Sequence, residues 1–97
     1  KVVYETAKSA VVGLTRSFAQ EYGKYNIRTN TVIPGCIATE RQIKLWYTPK
    51  YKKFILDKQA LKKTIFPNDV AKMVMFLASD QSISCTKQTY TIDGGLT

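Results

Sequence analysis

The chain has 97 residues, enough for one domain or for part of one. Hydrophobic side chains make up 44% of it, too many for a disordered chain, and no apolar run approaches the roughly 18 residues of a membrane-spanning helix. The 15 Lys and Arg outweigh the 7 Asp and Glu to give a formal charge of +8, and the complete lack of histidine argues against zinc sites and His-based triads.

The first residues already read as a helix with no cap before them. Neither an initiator Met nor a signal-peptide pattern opens the chain, so the domain is expected to start upstream of Lys1. Val3, Ala7, Val11, Leu14, Phe18 and Tyr22 recur at intervals of three and four, which predicts one stripe of a helix over 2–22. Gly23 follows the last periodic residue and suits the left-handed position after a helix end. The stretch "NIRTNTVIPG" is rich in β-branched residues and predicts a strand that Pro34-Gly35 stops. A helix leading through a short connection into a strand is the second half of a βαβ unit.

Residues 36–66 mix Trp46, Tyr47, Tyr51 and Phe54 with many lysines, and Pro49 divides them into two expected short helices, roughly 39–47 and 50–61. "PNDVAKMVMFLASD" predicts a further helix. Pro67 suits its first position, Asp69 complements the positive end of the dipole, and Val70, Met73, Val74 and Leu77 form its apolar stripe. "QTYTI" reads as a short strand and Asp93-Gly94-Gly95 as a turn after it.

The positive charge admits a nucleic-acid or acidic-membrane reading. No recognition module accompanies it, and aromatic residues among lysines also describe amphipathic helices whose lysines snorkel. A solvated surface is therefore expected, with no nucleic-acid and no membrane partner. Cys36 and Cys85 lie far apart and form no metal-binding spacing, so no metal is expected. Free thiols without a secretion signal fit a reducing, cytoplasmic setting.

Tyr4 and Lys8 stand four residues apart, a spacing that makes two residues neighbours on one helical face. A free phenol, with its pKa near 10, is a poor base near neutrality, but an adjacent ammonium favours the phenolate. Such a pair could exchange a proton with a carbinol or carbonyl oxygen. By itself the spacing is also what chance produces in a basic helix.

In order, the chain carries Tyr4-x-x-x-Lys8, then "IRTNTVIPG", then Ile37 and Thr39, then "PNDVAKMVMFLASD", then "YTIDGG". This succession resembles the C-terminal portion of the short-chain dehydrogenase/reductase family over essentially all 97 residues. The resemblance implies an α/β fold: two strands and helices from the C-terminal part of a Rossmann-like, doubly wound parallel sheet, incomplete as given. It implies an NAD(P)-dependent oxidoreductase that interconverts a secondary alcohol and a ketone, using NAD or NADP. It also implies a small alcohol or carbonyl substrate and a homo-oligomer, dimer or tetramer.

By the same resemblance, Tyr4 is the expected acid/base, and Lys8 its electrostatic partner and a ligand of the nicotinamide ribose. Pro34-Gly35 is the turn beside the nicotinamide. Ile37 matches the position whose backbone amide contacts the carboxamide, and Thr39 the hydroxyl that bonds the carboxamide or pyrophosphate. Residues of about 36–66 correspond to the substrate lid, where Trp46 and Tyr47 are candidates for lining the substrate site. The wording of "ERQIKLWYT" resembles members acting on sugars or polyols. Plainer readings stand beside these: an N-cap for Thr39, a loop for Pro34-Gly35, and core packing for Ile37, Trp46 and Tyr47.

Two departures from the family pattern concern turns. Lys87 stands where the family usually has glycine, which costs strain if the turn needs a positive φ. Phe66 stands where a small capping residue often precedes the last helix. The family's Gly-rich loop, the residue that selects NAD or NADP, and the catalytic Ser and Asn are expected upstream of the segment. The alternative to an oxidoreductase is a catalytically inactive fragment that folds only by association, because a two-stranded sheet is marginal alone.

Overall fold

The computed structural model describes residues 1–97, which form two compact units. Lys1–Val32 and Phe76–Tyr90 make up the first unit, and Ile33–Met75 and Thr91–Thr97 the second. Strands β1 (Thr31–Pro34) and β2 (Thr89–Ile92) lie side by side as a two-stranded sheet. The Thr31 amide donates to Gln88 and the Gly35 amide to Ile92, both at 2.9 Å, so the strands run parallel.

In the first unit, helix α1 covers Val2–Tyr22, as the periodicity predicts. Its buried residues are Thr15 and Ala19, small enough for the backbone of β1 to come close. The Thr31 hydroxyl donates to the Thr15 hydroxyl at 2.7 Å, and Thr15 passes its own proton back to the Val11 carbonyl at 2.9 Å. The stripe Val3–Ala7–Val11–Leu14–Phe18–Tyr22 is exposed, with Val3 at 82% and Leu14 at 53%.

The expected left-handed residue after α1 is not Gly23, which stays right-handed at φ −60°. The chain continues into a 3₁₀ turn, Gly23–Tyr25, and reverses at Asn26 with φ 62°. Asn tolerates this conformation better than most residues with a Cβ. Arg28 then reaches the end of helix α4 (Pro67–Ala78). Its guanidinium donates to the Leu77 carbonyl at 2.8 Å, the Ser82 hydroxyl at 2.8 Å and the Ser79 carbonyl at 3.1 Å. These acceptors belong to the helix terminus and to the 3₁₀ turn Asp80–Ser82 that follows it. Lys87, in the turn before β2, has φ 64°, so lysine occupies a conformation that glycine would adopt without strain.

In the second unit, helix α2 spans Glu40–Leu45 and α3 spans Pro49–Lys58, both shorter than expected. Pro49 starts α3 rather than merely interrupting the segment, and Thr48 caps it by accepting from the Tyr51 amide at 3.2 Å. Ile37 and Ile65 form a parallel bridge, with the Ala38 amide donating to the Ile65 carbonyl at 2.8 Å. Ala38, Ile55 and Ile65 are buried here beside the side chain of Gln59, whose amide donates to the Leu61 and Lys63 carbonyls at 2.9 and 2.8 Å. At the start of α4, Asp69 accepts from the Phe66 amide at 2.8 Å. The acidic side chain thereby supplies the returning half of a capping box, the bond to the amide of residue 66, while the bulky side chain at 66 can give none. Asp93 is buried, and its carboxylate gathers the Gly95 amide and the Thr97 amide and hydroxyl. Gly94 and Gly95 follow with φ 66° and 81°, the turn expected after the last strand.

Candidate functional site

Tyr4 and Lys8 both lie on α1, in the first unit. The Lys8 ammonium stands 5.3 Å from the centre of the Tyr4 ring. This is a cation–π approach, with the charge over the ring face and no hydrogen bond to the phenol. Tyr4 is 62% exposed, so its hydroxyl is open to a reacting oxygen.

The second unit holds the other candidates. Pro34 ends β1, and Gly35 has the backbone of the last turn against it. A Cβ on Gly35 would collide with the Cβ and the backbone of Asp93, so glycine is required for this packing whatever else it admits. Just beyond, Gly35, Cys36, Ile37, Thr39, Gln42 and Tyr51 line a pocket of about 320 Å³. The Ile37 amide donates to no acceptor within the chain, while its carbonyl accepts from the Thr39 amide at 2.9 Å. Thr39 is also the N-cap of α2: its hydroxyl oxygen accepts from the Gln42 amide at 3.1 Å. Its hydroxyl proton remains free to donate. A backbone N–H and a hydroxyl beside one pocket suit a planar primary amide, which needs both donors and acceptors.

Trp46 closes a neighbouring pocket of about 290 Å³ with Gln42 and Tyr51. Tyr47 lines neither pocket; it packs edge-on against Tyr51 with ring centres 6.1 Å apart. The two aromatic candidates thus part company. Tyr51 and Gln42 line both pockets, although the sequence reading leaves Gln42 unremarked and treats Tyr51 only as one aromatic among lysines. The Cys36 sulfur and the Tyr51 hydroxyl lie 3.9 Å apart, within a thiol–phenol hydrogen bond. With the phenol's own proton shared with the Cys36 sulfur in this contact, the hydrogen bond first and desolvation second push the Tyr51 phenol above its ordinary pKa. The Thr39-x-x-Gln42 spacing is a capping-box pattern that could have drawn attention to Gln42.

No group of three or more His, Cys, Asp or Glu side chains is gathered as a metal site, and no helix is long and apolar enough to cross a membrane.

A family model described as enoyl-(acyl carrier protein) reductase matches residues 1–97. The chain belongs to the short-chain dehydrogenase/reductase family. Over 94 residues it is 48% identical to D-xylose 1-dehydrogenase of Caulobacter vibrioides (strain NA1000 / CB15N), covering 97% of this chain and 38% of the relative. Over 93 residues it is 43% identical to a probable galactose dehydrogenase of Rhizobium meliloti (strain 1021), covering 96% of this chain and 36% of that protein. Among solved structures, 4-hydroxyisoleucine dehydrogenase complexed with NADH superposes with a TM-score of 0.90 at 35% identity. That match takes in 99% of this chain and 40% of that one. The chain therefore spans well under half the length of these relatives, and its two strands and helices correspond to part of a Rossmann-like sheet.

Proposed function

We propose that the whole protein is an NAD(P)-dependent oxidoreductase that interconverts a secondary alcohol and a ketone, with sugars or polyols as the substrate class. On this reading residues 1–97 are the C-terminal part of one Rossmann domain, and the cofactor's phosphates are held by residues outside them. The reading is carried by the Tyr4–Lys8 pair on one helical face. A second support is the pocket where the Ile37 amide and the Thr39 hydroxyl both have donor capacity to spare. Names of relatives support the substrate class: one is a D-xylose dehydrogenase and another a probable galactose dehydrogenase.

When bound, the nicotinamide cofactor accepts or returns the hydride. The chain's own residues do the rest. The Tyr4 hydroxyl gives a proton to the carbonyl oxygen in reduction and, as phenolate, takes it from the carbinol in oxidation. The Lys8 ammonium favours the phenolate electrostatically and supplies donors for a ribose hydroxyl. The Ile37 amide and the Thr39 hydroxyl would hold the carboxamide. The exposed stripe on α1 is covered in the working enzyme by the rest of the protein or by a second copy, in keeping with a homo-oligomer.

The deciding experiment is Tyr4→Phe in the full-length protein, assayed with a panel of sugars, polyols and ketones by nicotinamide absorbance. The change keeps the ring and removes the transferable proton, so turnover falls by about 10²–10⁴-fold while cofactor binding persists. A variant that retains most of its kcat makes Tyr4 a surface residue. A full-length protein that turns over no alcohol or carbonyl refutes the oxidoreductase reading.

A further inference from the structure

Asp93 is 6% exposed, yet the chain places no cation against its carboxylate: the one salt bridge joins Lys53 to Asp57. What faces the carboxylate are donors of the turn that follows. The Gly95 amide donates at 2.8 Å, the Thr97 amide at 3.1 Å and the Thr97 hydroxyl at 2.7 Å. A charge this buried is costly unless it is hydrogen-bonded. The three bonds offset that cost and fix the side chain and the turn to each other. Only an acceptor suits the place, since a carboxamide of the same size would turn an NH₂ group toward donors. The clamped turn holds contacts on two sides. On one, the Gly94 carbonyl accepts from the Leu61 amide at 2.8 Å and the Gly95 carbonyl from the Ala60 amide at 3.3 Å. On the other lies Gly35. Its amide donates to the Ile92 carbonyl at 2.9 Å, and the Cβ and backbone of Asp93 fill the space where a side chain at 35 would stand.

We infer that Asp93 is a positioning residue for the nicotinamide: clamped by Gly95 and Thr97, it is the backstop that holds Gly35, and through Gly35 the donors at Ile37 and Thr39. The inference rests on the oxidoreductase reading above. It goes beyond that reading by giving a part in cofactor binding to a side chain that does not line the pocket. Ile37, whose amide is the free donor, stands two residues after Gly35. The short segment between β1 and α2 is fixed at its far end by the Ala38 amide on the Ile65 carbonyl at 2.8 Å. At its near end it is fixed by Gly35 against Ile92 and Asp93. A glycine has no side chain to anchor it, so its place is set by what packs on it. When the clamp opens, the near anchor loosens while the far one stays, and the Ile37 amide shifts relative to the Thr39 hydroxyl. A displacement of about 1 Å is enough to lose much of what a positioned group contributes.

The test uses the full-length protein and two ligands that differ in the nicotinamide. Calorimetry gives Kd for NADH and for ADP-ribose, or for NADPH and 2′-phospho-ADP-ribose where wild type binds NADPH more tightly. Asp93→Asn and the milder Thr97→Val, which removes only the hydroxyl, are compared with wild type. Thr97→Ser keeps that hydroxyl, and Arg28→Met removes hydrogen bonds within the first unit instead. Asp93→Asn is expected to weaken binding of the reduced cofactor about tenfold and Thr97→Val about threefold, with the ligand lacking nicotinamide bound as before. Thr97→Ser restores wild-type affinity, and Arg28→Met changes neither Kd. Deuterium exchange at the Ile37 amide of the cofactor-free protein rises in Asp93→Asn and not in Arg28→Met. If Asp93→Asn does not fold, Thr97→Val and Thr97→Ser decide by the same comparison. Equal weakening of both ligands in the Asp93 and Thr97 variants makes Asp93 a stabiliser of the fold alone and overturns the inference, as does an unchanged Kd for the reduced cofactor. Either result leaves the oxidoreductase reading to the turnover of Tyr4→Phe. A wild-type protein that binds neither NADH nor NADPH removes both readings together.

Discussion

Replacing Arg28 tests how the end of α4 is tied to the approach to β1. The guanidinium makes three hydrogen bonds, at 2.8, 2.8 and 3.1 Å, to Leu77, Ser82 and Ser79. A hydrogen bond to a charged group contributes about 1.5–3 kcal/mol net. The full sum of three does not apply, because the acceptors are not orphaned when Arg28 is lost. The Ser82 hydroxyl still donates to Leu77 at 3.0 Å or to Ser79 at 3.1 Å, and Arg28 is only half-buried. Arg28→Met keeps most of the stem and removes the donors, and is expected to cost about 2–3 kcal/mol. Arg28→Lys keeps the charge but offers no fork, and should recover about a third of the loss. The assay is urea unfolding of the full-length protein, read as the midpoint shift at constant m. A cycle with Ser82→Ala isolates the direct bond, with a coupling of about 1 kcal/mol. A cost below about 0.5 kcal/mol for Arg28→Met, or zero coupling with Ser82, would refute the clamp.

Three further outcomes are expected. At Lys87, with φ 64°, the left-handed strain of about 1–2 kcal/mol is offset by the greater unfolded-state entropy of glycine, about 0.4–1 kcal/mol, and by an exposed bond to Gln20 at 2.9 Å. Lys87→Gly should therefore unfold at no lower urea concentration than wild type, whereas Lys87→Val should lose about 1–2 kcal/mol; a destabilised glycine variant would refute the strain. The Asp93 carboxyl is held below its ordinary pKa by the Thr97 hydroxyl first, and by the backbone amides of Gly95, Thr97 and Leu96. A depressed carboxylate contributes stability that is present above its unfolded pKa of about 4 and lost as pH falls through the folded value. Melting temperatures between pH 5 and pH 2.5 should thus fall more for wild type than for Asp93→Asn, and parallel curves would refute the assignment. On the proposed reading, in which residues outside 1–97 hold the cofactor's phosphates, residues 1–97 expressed alone should bind neither NAD(H) nor NADP(H) by calorimetry and should associate in light scattering. A soluble monomer with micromolar cofactor affinity would show the reverse.

Much of the architecture is legible in the sequence because it is local. The period of 3.6 fixes α1 at Val2–Tyr22, Pro67 marks the start of α4, and Asp93-Gly94-Gly95 marks the turn after β2. At Lys87 the family pattern, which usually has glycine there, raises the question of a positive φ, and the structure answers it with φ 64°. The Tyr4–Lys8 pair is legible too, since a separation of four residues on a helix is itself a spatial statement. What tertiary structure decides are the meetings of residues far apart in the chain. Periodicity picks out an apolar stripe on α1 but not the buried face, which is lined by Thr15 and Ala19 because β1 needs small side chains there. Reversal falls to Asn26, not Gly23, because the chain takes another 3₁₀ turn before it leaves α1. Gly35 needs its missing Cβ because Asp93, distant in sequence, lies against it. The Thr39 amide, which a capping box would offer to the Gln42 side chain, goes instead to the Ile37 carbonyl. A sequence window records what each residue prefers locally; which of two available partners a hydrogen-bonding group takes depends on the backbone brought beside it.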